Sequence, residues 1–353
     1  AMALANPFYT EEFHGPFTLH GLGDFELEEG GVLPDLQLAV STHGELNAAR
    51  DNCILVPTWY SGTHQIMEQV YIGPDRVLNP ADYFIVVVNQ IGNGLSSSPH
   101  NVDGPHAGPA FPKVRIGDDV RAQEQLLREV FGVEELALVV GGSMGAQQTW
   151  EWAVRFPDKV RRAAPIAGTA QNTHHDFLYT QTLMDSLMAD PGWNGGAYAS
   201  HEDVAEGLRL HGRVAGVMGW STEWYKQELW RRTGDFPTFD DFTRDFTHGY
   251  HEVLDPNSLL TMGWKWQRGD VARNTGGDLA AALGRIQAVV YAMPISEDMF
   301  FPPRDVAAEV ALVPRGELRV IESLDGHMGL IATDPGYLPQ VEANLAELLA
   351  LEV

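Results

Sequence analysis

LALVVGGSMGAQQTWEWAVRF, residues 136–156, reads as a buried strand, a tight turn and a helix in succession. Leu136–Val140 is continuously apolar, as a strand covered on both faces must be. Met144–Phe156 carries a helical pattern that Pro157 stops. Between them, Gly141-Gly142-Ser143-Met144-Gly145 is G-x-S-x-G in the context that motif requires. The turn would hold serine in a strained conformation, with a glycine two residues away on each side to remove side chains that would collide. The hydroxyl would then project above the sheet at a helix N-terminus, which favours negative charge on the reacting oxygen. Ser143 is therefore the candidate nucleophile. The alternative is a glycine-rich turn with an inert serine; a dinucleotide loop is a weaker rival, since G-x-G-x-x-G is not present.

The same alternation extends in both directions. Cys53–Pro57, Tyr83–Asn89, Ala163–Ala167, Ala288–Tyr291 and Leu318–Ile321 are further short apolar runs, with helical patterns over Asp118–Phe131 and about Tyr337–Leu349. Residues 13–45 read as an antiparallel pair around Gly30-Gly31. Together these predict an α/β fold of the α/β-hydrolase kind, a mostly parallel sheet flanked by helices. Residues 172–278 break the rhythm, being rich in Trp, His, Gly and Met with few strand signals. They are expected to form an inserted helical lid, dividing the core into residues 1–171 and 279–353.

In this fold the chain order is nucleophile, acid, histidine. Asp325-Gly326-His327-Met328-Gly329 follows the last strand candidate, so His327 is the expected general base. The acid should follow the preceding strand, where Asp298 is the first choice and Glu297 the neighbour that could displace it; Asp305 and Asp325 are expected to be solvated surface carboxylates. An ionised acid holds the imidazole in one tautomer, ready to take the serine proton. The oxyanion needs two backbone N–H groups. Met144 should supply one, and Trp59 or, second, Tyr60 the other; Tyr60 and Met328 are expected to line the substrate pocket.

Composition narrows the partners. The 353 residues include 23 basic and 48 acidic side chains, a net charge of −25. That surface repels phosphate backbones and anionic membranes, so neither nucleic acid nor membrane is expected. Cys53 is the single cysteine and lies in an apolar run, which suits a buried structural thiol and a reducing, cytoplasmic setting. No signal peptide pattern is visible, and Ala1 ahead of Met2 reads as an expression remnant. His174-His175-Asp176 and His248-x-x-His251 lack the partners a zinc site would need, so no metal is expected.

GGSMGAQQTWEWAVRFPDKVRRA, DDVRAQEQLL, DPGWNGGAY, DPNSLLTMGWKW and EDMFFPP resemble motifs of the homoserine O-acetyltransferase family over roughly residues 35–345. The resemblance implies a helical lid, the Ser143, Asp298 and His327 triad, often a homodimer, and ping-pong acyl transfer through an acyl-serine. Family transferases carry an aspartate after the catalytic histidine, where this chain has Met328, and an arginine and a tyrosine in the lid, where it has Gly212 and Gly219. The Asn89–Ser98 loop also differs from the family's cysteine-containing version. Methionine and glycine cannot bind a zwitterion, and a buried charge without a partner costs several kcal/mol. The chain is thus similar to the family's esterase branch, which resolves the acyl-enzyme with water. The expected activity is hydrolysis of short-chain, acetate-type small-molecule esters without a cofactor. A homoserine O-acetyltransferase using acetyl-CoA and a non-catalytic hydrolase-fold binding protein are the alternatives.

Overall fold

The computed structural model describes residues 4–353; the Ala1-Met2 junction lies outside them. Its strands are β1 (Thr18–Gly21), β2 (Phe25–Glu26), β3 (Val32–Leu33), β4 (Gln37–His43), β5 (Cys53–Pro57), β6 (Phe84–Val88), β7 (Leu138–Gly142), β8 (Arg162–Ile166), β9 (Val289–Ala292) and β10 (Gly316–Leu318). Eight form one sheet in the order β1-β4-β6-β5-β7-β8-β9-β10, while β2 and β3 pair separately. β1, β4 and β6 meet antiparallel, and every pair from β6 onward is parallel.

The apolar runs are continuous because both sheet faces are covered. Every residue of β5 and β6 is buried. Side chains alternate between two cores, with Cys53, Leu55, Val86 and Val88 in one and Ile54, Val56, Ile85 and Val87 in the other. The longer helices are α1 (His64–Tyr71), α2 (Ile116–Glu129), α3 (Met144–Arg155), α4 (His174–Met188), α5 (Ala205–Gly219), α6 (Pro256–Gln267), α7 (Pro303–Val310) and α8 (Tyr337–Ala350). α2, α3 and α7 close the first core through Leu126, Trp150, Val154 and Val306. α1 and α8 close the second through Met67, Val70, Val341 and Leu345. Each such aliphatic side chain contributes about 1.5–3 kcal/mol by leaving water.

Three boundaries differ from expectation. β7 starts at Leu138, and Leu136 makes only an isolated bridge to Val160. β10 precedes the apolar run Leu318–Ile321, because β10 is a half-exposed edge strand whereas Ile321 is fully buried beside Ile295; apolarity there tracks burial, not the ladder. Residues 13–45 hold two antiparallel pairings, the small β2–β3 hairpin around Gly30-Gly31 and the longer β1–β4 pair outside it.

Between β8 and β9 the described chain has no strand. α4 packs against both α5 and α6 there. An aromatic cluster of Trp220, Trp224, Trp230 and Phe242 fills the rest, with the rings of Trp220 and Trp224 stacked 3.8 Å apart. A buried ion pair ties this insertion to the core. Lys265 on α6 meets Asp119 on α2 and donates to the Ile91 carbonyl at 2.7 Å, while Asp119 accepts from the Ile91 N–H at 2.9 Å. Both side chains are at most 1% exposed. Burial pulls the lysine ammonium down and pushes the carboxyl up from their ordinary values.

Candidate active site

β7 ends at Gly142 and α3 begins at Met144, so Ser143 occupies the turn between them. Its backbone sits at φ 56°, ψ −117°, a sparsely populated region that costs of order 1–3 kcal/mol for a residue with a side chain. Close packing around the turn leaves room only for glycine. A Cβ on Gly141 would come within 2.6 Å of the Gly145 carbonyl, and one on Gly145 within 2.8 Å of the Pro57 carbonyl. The N–H of Met144, the first residue of α3, is one of those a helix leaves without an internal partner.

The loop after β9 carries Asp298 and the loop beyond β10 carries His327, both to the same sheet edge. His327 Nε2 lies 2.9 Å from Ser143 Oγ, and His327 Nδ1 lies 2.8 Å from Asp298 Oδ2. All three are buried. Asp298 Oδ1 accepts from the Phe300 and Phe301 N–H groups at 2.7 and 3.0 Å, which fixes the carboxylate. The Phe300 ring stacks on the imidazole with centroids 4.0 Å apart. The neighbouring Glu297 is not in this chain of hydrogen bonds; it adopts φ 70° in the same turn.

Asp325 corrects an expectation. It is fully buried rather than solvated, ion-paired with Arg232, and accepts from Thr333 Oγ1 at 3.1 Å. Ser221 donates to the Leu324 carbonyl beside it. The segment between β8 and β9 thus latches directly onto the loop that carries His327. Tyr71 steadies the far side of that loop, donating to the Leu330 carbonyl at 2.7 Å.

Ser143 and His327 open into a cavity of about 460 Å³. Trp59, Tyr60 and Met328 all line it, as do Gly212, Tyr179, Trp266 and Phe300. Its surface is mainly apolar and aromatic, with no lysine or arginine in its wall among the described residues. Gly219 packs against Met328, where a Cβ would meet the methionine Cγ at 2.9 Å. Sequence reasoning missed several wall residues. Phe8 and His14 arrive from the N-terminal segment and Tyr179 from α4, whereas Trp266 on α6 belongs to the Gly263–Trp266 stretch whose tryptophans the sequence offered as lid packing or a pocket wall. No motif marks Phe8, His14 or Tyr179, because each is an ordinary aromatic until the chain folds. Trp266 Nε1 donates to the buried Asp176 at 2.7 Å, which gives a structural role to one member of the His-His-Asp cluster.

Cys53 is buried in β5, and burial pushes its thiol up to about 12, so it stays a neutral apolar filler. His211 on α5 takes its place beneath Tyr60, with Nε2 3.2 Å from the phenol and Nδ1 2.9 Å from the Leu183 carbonyl. Burial, assisted by nearby His251, lowers its value to about 3. The unfolded chain titrates this group near 6.5. It therefore takes up the proton first, and stability present above about pH 6.5 is lost as pH falls toward 3. We expect His211 alone to cost about 2 kcal/mol of unfolding free energy between pH 7 and pH 5. Urea unfolding at the two pH values, with His211→Gln alongside, checks this; an unchanged pH slope in the variant would refute it.

Residues 54–221 match the alpha/beta hydrolase fold family. An ethyl acetate hydrolase of Pseudomonas veronii is 56% identical, the alignment covering 98% of this chain and 99% of that protein. The crystal structure of an acetylester hydrolase from Corynebacterium glutamicum, 58% identical, superposes with a TM-score of 0.97 over 99% of this chain and 100% of the other. A homoserine O-acetyltransferase of Caulobacter vibrioides is 30% identical, with 91% of each chain covered.

Proposed function

Because this chain belongs to the alpha/beta hydrolase fold family, we propose that it is a serine carboxylesterase acting on short-chain, acetate-type esters. The observation that carries the reading is the continuous hydrogen-bonded chain from Ser143 through His327 to Asp298 at the floor of an apolar cavity. Relatives at 56% and 58% identity named for ethyl acetate and acetyl ester hydrolysis supply the substrate class.

In this mechanism His327 takes the Ser143 proton as Oγ attacks the ester carbonyl. The Met144 and Trp59 N–H groups hold the oxyanion. The imidazolium, steadied by Asp298, gives its proton to the leaving alkoxide, and an acyl-serine remains. Water, deprotonated by His327, attacks that acyl group; collapse returns the proton to Ser143 and frees the carboxylic acid. Residues 172–278 act as the lid over the cavity. An aromatic, largely apolar wall favours a neutral alcohol portion over a zwitterion, since an ammonium or carboxylate there would lose its hydration without gaining a partner. A cytoplasmic homodimer completes the reading, on the single buried thiol and the family resemblance.

A panel of esters varied in acyl and alcohol size, run beside homoserine with acetyl-CoA, tests it. We expect small alkyl acetates to turn over fastest and homoserine acetylation to be at least about a hundredfold slower, the penalty of an unpaired charge in the pocket. Rapid homoserine acetylation would replace the esterase reading with the transferase one.

A further inference from the structure

A second cavity, of about 390 Å³, lies on the opposite side of α4 and α6 from the catalytic one. The two cavities share these helices as a partition: Leu183 and Trp266 face the first, and their neighbours Met184 and Gln267 face the second. Met184, Met188, Leu260 and Trp193 supply apolar wall. Lys113 and Arg268, both against the Trp264 ring, supply something the catalytic cavity lacks among the described residues, a concentration of positive charge.

Three cations converge on the Trp264 ring. Arg268 lies 4.2 Å, Arg115 5.3 Å and Lys113 5.6 Å from its centroid. Arg115 is neutralised by Glu29. Arg268 spends Nη1 on neutral acceptors, the Trp264 carbonyl at 3.2 Å and Gln267 Oε1 at 2.8 Å. Among the described residues neither Lys113 nor Arg268 has an ion pair, in a chain with 48 acidic side chains against 23 basic ones. Burial, then each one's cationic neighbour, pulls both groups below their ordinary values, while Glu29, already engaged by Arg115, offsets this only in part at Arg268.

We propose that this second cavity binds a small organic carboxylate, its anionic head between Lys113 and Arg268 and its hydrocarbon body against Met184, Met188, Leu260 and Trp193. The carboxylate would supply the direct ion-pair partner that both lack, and a planar guanidinium pairs with two carboxylate oxygens at once. An apolar enclosure with a few convergent polar groups at one end is the usual form of a small-molecule site.

The test uses the full-length protein with Ser143 blocked by an organophosphonate, which removes the catalytic cavity from the measurement. Hexanoate titrated calorimetrically is expected to bind with 1:1 stoichiometry, and hexanamide at least about tenfold more weakly, since charge-assisted hydrogen bonds are lost. The double variant K113Q/R268Q is expected to lose about tenfold in hexanoate affinity with ester turnover unchanged in the unblocked enzyme. K113Q alone, at an exposed position, should show part of the same loss and guards against misfolding of the double variant. No hexanoate binding to the blocked protein, equal binding of hexanamide, or full affinity in both variants would overturn the proposal. Binding of hexyl phosphate without hexanoate would overturn the carboxylate assignment.

Discussion

Ser143→Ala is expected to lower turnover of an alkyl acetate by about four orders of magnitude or more, with no loss of folded protein. Ser143 Oγ is the atom hydrogen-bonded to His327 Nε2, and removing it leaves the imidazole with nothing to deprotonate. Its side chain is small and sits at the edge of an existing cavity, so truncation opens little new space. Alanine also tolerates φ 56° about as badly as serine, so the backbone strain is unchanged. Initial rates at saturating ester, near-ultraviolet dichroism and organophosphonate labelling together check it. A variant that keeps more than about a hundredth of the parental rate would remove the serine from its role.

The largest effect on stability is expected from Lys265→Met. This change strands the Asp119 carboxylate, at most 1% exposed, without its cation. Breaking a buried pair by removing one partner costs about 3–5 kcal/mol, because the remaining charge has lost its hydration and gained nothing. Burial already raises the Asp119 carboxyl, so the variant should hold that group protonated and become less stable as pH rises. The double change Lys265→Met with Asp119→Leu should recover most of the loss, since apolar replacements of similar volume remove both desolvation costs. Urea midpoints for parent, single and double variants decide it. A single variant within about 1 kcal/mol of the parent would show the pair to be dispensable.

The central strands and the serine turn could be read from the chain because their signals are local. A run such as Cys53–Pro57 is apolar at every position only when both faces are covered, and G-x-S-x-G needs its glycines for contacts made within a few residues. Asp298 and His327 were legible for another reason: chain order and strand ends confine them to short loops. What stayed hidden depends on pairing across long separations. Asp325 resembled any loop carboxylate, and its ion-pair partner Arg232 lies 93 residues earlier. Asp119 and Lys265 lie in two of the motifs that carried the family resemblance, yet neither motif says that they meet. Phe8 and His14 reach the cavity from the first residues described, a placement no periodicity encodes.

The latch from Arg232 and Ser221 to Asp325 and Leu324 bears on how this enzyme could be re-engineered. A roof over a reaction chamber invites exchange as a self-contained module, with new roofs conferring new selectivity. In the proposed reading residues 172–278 are such a roof and also brace the proton acceptor, so a transplanted one lacking those two anchors would deliver a well-placed serine beside an imidazole free to wander. Selectivity and competence are coupled in this scaffold, and remodelling is better directed at wall positions such as Tyr179 or Met328 than at wholesale exchange.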